Sequence, residues 1–117
     1  MTGCDAFRFI NELDETTLRS FIDRLEFRGR DPTFVQWREA YLDDLPLATV
    51  PQVLDLGCGT GVVARALAKR EGFSGRVIGV DQSPVLIDAA RRLAIILGRR
   101  MTKQAPLRVG SAHISPP

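Results

Sequence analysis

Residues 53–61 read VLDLGCGTG, and no other stretch restricts the fold as tightly. A short apolar run passes directly into a turn that carries Gly57, Gly59 and Gly61 in G-x-G-x-G spacing. Glycine admits positive φ and lets backbone approach a ligand with no Cβ in between. Val53, Leu54 and Leu56 show no alternation, which predicts a parallel strand covered on both faces. Val62, Val63, Ala66 and Leu67 then form the apolar side of a short helix over 62–70. EGFSG (71–75) is a turn, and Val77, Ile78 and Val80 make a second strand ending at Asp81. Ser83 and Pro84 are a helix cap and a first helical residue. Leu86, Ala89, Ala90, Leu93, Ile96 and Leu97 mark one face of that helix, and Gly98 is placed to end it. Leu107 to Val109 is a short third strand.

Strands alternating with helices imply parallel pairing through crossovers. The expected fold is α/β, the first half of a doubly wound, Rossmann-like parallel sheet of about three strands with flanking helices. An N-terminal helical segment over 1–49 precedes this partial domain over 50–117. In that segment Asp14 caps a helix with Leu18, Phe21, Ile22 and Leu25 on its apolar face, and Gly29 stands where it should stop. Asp31 and Pro32 open a second helix on which Phe34, Trp37, Arg38 and Tyr41 share a face, with the aromatics expected in the core. The stretch 45–51, with two prolines, reads as a linker.

Ligands of such sheets bind at the carboxyl ends of the strands. The nicotinamide fingerprint G-x-G-x-x-G would need glycine where Val62 stands, and a phosphate loop would need a Lys-Ser/Thr pair that GVVA (61–64) lacks. Asp55, just under the turn, would repel a pyrophosphate and attract an ammonium or sulfonium. Asp81 closes the next strand, where a carboxylate suits a ribose diol. These features favour an adenosyl ligand with a cationic tail.

VLDLGCGTG followed by VIGVDQSP (77–84) closely resembles the first two motifs of the class I S-adenosylmethionine-dependent methyltransferases. The stretch RVIGVDQSPVLIDAAR (76–91) is similar to the small-molecule branch that includes quinone-biosynthesis enzymes. The resemblance spans about residues 50–113. It implies S-adenosylmethionine as cofactor, with Asp55 near the methionine amino group. Gly57, Gly59 and Gly61 would line methionine and ribose, Asp81 would hold the ribose hydroxyls, and Gln82 would flank ribose or adenine. In VGSAH (109–113), Ser111 stands where the family often has the aspartate that reads the adenine amino group, so any acceptor there is uncharged. Cys58 fits the turn as a small residue, since no base is recognisable beside it. His113, the one histidine, reads as a loop residue, and no metal site is expected.

The 117 residues carry 16 basic and 14 acidic side chains, net charge +2, which gives no argument for nucleic acid or an anionic membrane. MTGCDAFRFINELDE (1–15) has no basic start followed by an apolar core, and Cys4 and Cys58 are too few for a disulfide framework, so a cytoplasmic setting is expected. The resemblance covers only the opening strands of a larger sheet. It implies a fragment or truncated form in which the first strand has an open edge, ready for a second copy or a complementing chain. The acceptor would be a small molecule, and the residues that contact it would lie in later segments. A noncatalytic remnant that binds cofactor weakly, and a nicotinamide-dependent half-domain, are the alternatives.

Overall fold

The computed structural model describes residues 9–100 and 107–111. After a single 3-10 turn at Ile10–Glu12 come α1 (Glu15–Arg30), α2 (Pro32–Asp43), β1 (Gln52–Leu56), α3 (Val62–Ala68), β2 (Arg76–Asp81), α4 (Pro84–Arg100) and β3 (Leu107–Ser111). The strands form one parallel sheet in the order β1-β2-β3. Register places Asp55 beside Gly79, Leu56 beside Val80 and Asp81 beside Ser111, so the strands end together at one rim.

Local chemistry sets the helix starts. Asp14 accepts from Thr17 N at 2.9 Å, and its other oxygen accepts from the Thr17 hydroxyl at 2.8 Å. Asp31 accepts from Thr33 N and Phe34 N at 3.0 and 3.1 Å and also closes α1 through its own N–H to the Arg28 carbonyl. One residue thus ends α1 and begins α2, which fixes the bend between them. Ser83 Oγ accepts from Leu86 N at 3.3 Å at the start of α4. Each such cap is worth about 1 kcal/mol.

Gly29 does not stop α1. The helix runs through it to Arg30, and Gly29 is buried against α3, where a Cβ would lie 2.7 Å from Val62 Cγ1. The glycine is there for close packing. Similarly, α4 runs through Gly98 to Arg100. Ile96 and Leu97, whose expected core role concerns side chains, lie outside the described side chains, as do Cys4 and His113.

The main core joins both halves of the chain. Leu42 of α2 and Leu47 of the 45–51 stretch pack with Ala64, Leu67, Phe73 and Val77. A second cluster brings Ile10 and Leu18 against Leu86 of α4. The expected linker is therefore partly core. The expected aromatic face of α2 is not: Trp37 and Tyr41 are 70% and 63% exposed, and Leu42 supplies the helix's buried anchor. Arg70 adds a tie from the end of α3 to Glu39 and Asp43 of α2.

Among the described residues the sheet is covered on one face. Val77 and Gly79 face the helices, and a Cβ on Gly79 would meet Cys58 Cβ at 3.1 Å. On the opposite face Leu54 and Leu56 are 55% and 68% exposed. Among the described residues the double coverage expected for β1 is thus corrected to an alternating pattern, with Val53 and Asp55 half-buried and Leu54 and Leu56 exposed. β1 is also an edge strand of this sheet.

Replacing Leu42, 1% exposed, by Ala should cost about 2–5 kcal/mol. Urea unfolding followed by circular dichroism and by Trp37 fluorescence should show both probes moving together to a lower midpoint. Separate transitions would mean that α1 and α2 fold apart from the sheet.

Candidate functional site

β1 delivers the chain to the rim, and the turn after it is built from left-handed backbone. Gly57, Gly59 and Gly61 have φ of 69°, 56° and 85°. At Gly57 nothing lies within 4 Å of where a Cβ would be, so the conformation and not the space demands glycine there. Gly61 is the N-cap of α3 and offers no side-chain cap, and its N–H donates to the Cys58 carbonyl at 2.8 Å.

The two strand-end carboxylates have different surroundings. Asp81 accepts from Gly59 N and from Ser83 N, each at 2.9 Å, one through each oxygen. It ties the glycine turn to the start of α4. Asp55 is half-buried, and its Oδ2 is a fully buried oxygen with no hydrogen-bond partner among the described residues. Burial, and then the charge of Asp81, push the Asp55 carboxyl above its ordinary value. A buried acceptor in this state calls for a cation or an N–H donor.

Both carboxylates line a cavity of about 630 Å³ at the strand ends. Gly57, Gly59 and Gln82 also line it, so five of the expected site residues meet there. Gly61 stands behind the rim, packed against Ala90. Ser111 ends β3 opposite Asp81, but its side chain lies outside the described ones. Cys58 also lines the cavity, with its thiol pushed up to about 12, mainly by burial and then by Asp55 and Asp81. It is no nucleophile at neutral pH.

Sequence reasoning read Leu25 and Phe34 as helix-face residues and did not place them, Ile10 or Arg28 at this cavity. Ile10, Leu25, Arg28 and Phe34 form part of the cavity wall, with the Arg28 guanidinium 5.6 Å from the centre of the Phe34 ring. Arg28 is the one cationic side chain among the described lining residues. A polar cluster was also missed. Glu26 of α1 accepts from the Thr60 hydroxyl at 2.7 Å and from Arg65 at 2.9 and 2.7 Å. Arg65 also donates to the Thr60 carbonyl at 2.6 Å. The available signal was Glu26 itself, four residues from Ile22 and three from Gly29, inside the stripe that α1 buries.

A parallel sheet with a glycine turn and acidic strand ends around one rim cavity is the arrangement by which doubly wound sheets take ligands at their strand ends. Comparison narrows the class. Residues 53–112, just over half of the chain, match a family described as methyltransferase domain. Demethylmenaquinone methyltransferase of Lactobacillus johnsonii is 38% identical over 76 residues, 65% of this chain and 30% of that protein. The 2-phytyl-1,4-naphtoquinone methyltransferase of Thermosynechococcus vestitus is 41% identical over 56 residues, 48% of this chain and 25% of that protein. A SAM-dependent methyltransferase from Aquifex aeolicus shares the fold with a TM-score of 0.58 at 22% identity, over 86% of this chain and 48% of that one. The chain belongs to the class I S-adenosylmethionine-dependent methyltransferase family. It spans 30% or less of the length of these two quinone-enzyme relatives. Among the described residues no helix is long and apolar enough to cross a membrane.

Asp55 gives a pH signature. Folding raises its pKa above the ordinary 3.8, so the folded state holds its proton more tightly than the unfolded chain does. The stability this contributes is complete below about pH 3.8 and is lost as pH rises through the folded value. Asp55→Asn should therefore melt higher than wild type at pH 7, with the difference closing at acid pH, in thermal melts across pH 3 to 7.

Proposed function

We propose that this chain forms the cofactor-binding part of an S-adenosylmethionine-dependent methyltransferase that acts on a small-molecule acceptor. The observation that carries this reading is the orphaned Asp55 oxygen, buried beside an open glycine turn. A carboxylate there answers the ammonium of a methionine end. Arg28, on the same cavity, has the charge to answer that end's carboxylate. Gly57 and Gly59 leave the backbone uncovered beside them. Asp81 retains lone pairs for a ribose diol while its two N–H donors hold it in place. We place Gln82 beside ribose or adenine and Ser111 at the adenine edge.

The cofactor supplies an electrophilic methyl group on a sulfonium. Transfer is an in-line displacement, so the protein's task is chiefly to orient the partners and exclude water. The named residues would fix one reactant. The resemblance to two quinone methyltransferases supports a small aromatic acceptor. Leu54 and Leu56, together with the free edge of β1, favour a further stretch of polypeptide on that side, from this chain or from a partner. We assign the acceptor pocket to that stretch.

Calorimetric titration with S-adenosylhomocysteine tests the reading, with 5′-methylthioadenosine, which lacks the amino-acid end, as the comparison ligand. Arg28→Met and Asp55→Asn should each weaken the first ligand by roughly tenfold or more, as expected for lost charged hydrogen bonds, and leave the second nearly unchanged. Asp81→Asn should weaken both. A folded wild-type chain that binds neither ligand would sink the proposal.

A further inference from the structure

We propose that Glu26 is a positioning residue for the cofactor turn, and that α1 thereby belongs to the cofactor site. The inference rests on the proposed cofactor reading and adds a residue that neither motif contains.

The turn from Gly57 to Gly61 has few handles. Its three glycines have no side chains, and Cys58 offers only a weak thiol contact to the Gly59 carbonyl at 3.7 Å. Thr60, 1% exposed, is the one residue of the turn with a side-chain hydroxyl. That hydroxyl donates to Glu26 Oε1 at 2.7 Å, across 34 residues of sequence. Arg65 closes the ring. It reaches both Glu26 oxygens through one nitrogen and the Thr60 carbonyl, at 2.6 Å, through the other. The side chains of Glu26 and Arg65 are 19% and 16% exposed, so the contact is shielded from solvent. Such a pair is held by geometry, and breaking it leaves an unpaired, partly buried charge.

The turn is thus gripped from two sides. Asp81 holds Gly59 from the sheet, and Glu26 with Arg65 holds Thr60 from the helices. The same clamp sets the cavity wall, because Leu25 and Arg28 are neighbours of Glu26 on α1. Leu25 Cδ1 lies 3.7 Å from where a Gly59 Cβ would be. Glu26 therefore fixes the backbone and the wall on either side of one ligand without touching the ligand.

The test compares wild type with Glu26→Gln, Glu26→Ala, Thr60→Val and the Glu26→Ala/Thr60→Val pair in the full chain. Leu47→Ala, a core substitution at a residue that does not line the cavity, serves as the stability control. Homocysteine-ligand titration and thermal melts are read together with amide hydrogen exchange at Gly59, Thr60 and Gly61. Glu26→Ala should weaken S-adenosylhomocysteine about tenfold, as for a lost charged hydrogen bond. Glu26→Gln should recover part of that loss, and the pair should be no weaker than Glu26→Ala alone. Leu47→Ala should melt lower with affinity unchanged. Exchange at the turn should quicken in Glu26→Ala and Thr60→Val but not in Leu47→Ala. Affinity that falls only in proportion to melting temperature in every variant, or turn amides indifferent to Glu26, would overturn the proposal. If wild type binds no cofactor, the functional reading fails, and the exchange comparison still decides whether Glu26 holds the turn.

Discussion

The left-handed backbone at Gly57, Gly59 and Gly61 is the constraint on which the rest of the site depends. It turns the chain from β1 into α3 within five residues and leaves the strand-end rim uncovered. A side chain at these angles would be strained by about 1–2 kcal/mol each, so the path is closed to most sequences. The same absence of side chains deprives the turn of anchors, and the anchors come from elsewhere. Asp81 supplies one from the end of β2, and Thr60 reaches another on α1. Parallel register makes the first possible, since it brings the ends of β1 and β2 to one level.

Packing follows the same logic on a larger scale. α3 must lie close enough to α1 for the turn to reach Glu26, and Gly29 permits this by presenting no Cβ to Val62. Leu42 and Leu47 then seat α2 and the following stretch on α3, and Ile10 and Leu18 meet Leu86. All of this cover lies on one side of the sheet. The other side keeps Leu54 and Leu56 in solvent, an arrangement that parallel sheets rarely tolerate alone. The apolar content of β1 is suited to a second layer, and that mismatch is the physical basis for assigning the acceptor pocket to polypeptide on that side.

Much of this was legible in the residues. Asp14, Asp31 and Ser83 cap the helices they precede, because capping is a local bond between a short polar side chain and nearby amides. The strand and helix alternation and the glycine turn were equally local. What failed was tertiary. Gly29 read as a stop because a glycine that ends a helix and one that admits a neighbouring helix have the same composition; only the position of Val62 separates them. Trp37 and Tyr41 were expected in the core, but Leu42 is the residue of α2 that is buried there. The apolar residues of β1, Val53, Leu54 and Leu56, could not reveal that among the described residues Leu54 and Leu56 lie exposed. Glu26 was visible as a carboxylate inside an apolar stripe, yet its partners lie 34 and 39 residues away and no local pattern names them.

The acidic pair at the rim shows how the fold divides labour between two like residues. Asp55 and Asp81 stand on adjacent strands, and the charge of Asp81 disfavours that of Asp55. Asp81 is compensated by two backbone donors, so its charge is spent on building the turn. Asp55 has one buried oxygen with no donor and is partly desolvated, an arrangement that weakens the folded state at neutral pH. A purely structural residue at that position would be better as an apolar side chain or an amide. In the proposed reading an ammonium brings both the charge and the N–H donors that the oxygen lacks. Destabilisation confined to one oxygen, beside a turn hydrogen-bonded from two sides, fits the proposed site for a ligand with a positive end.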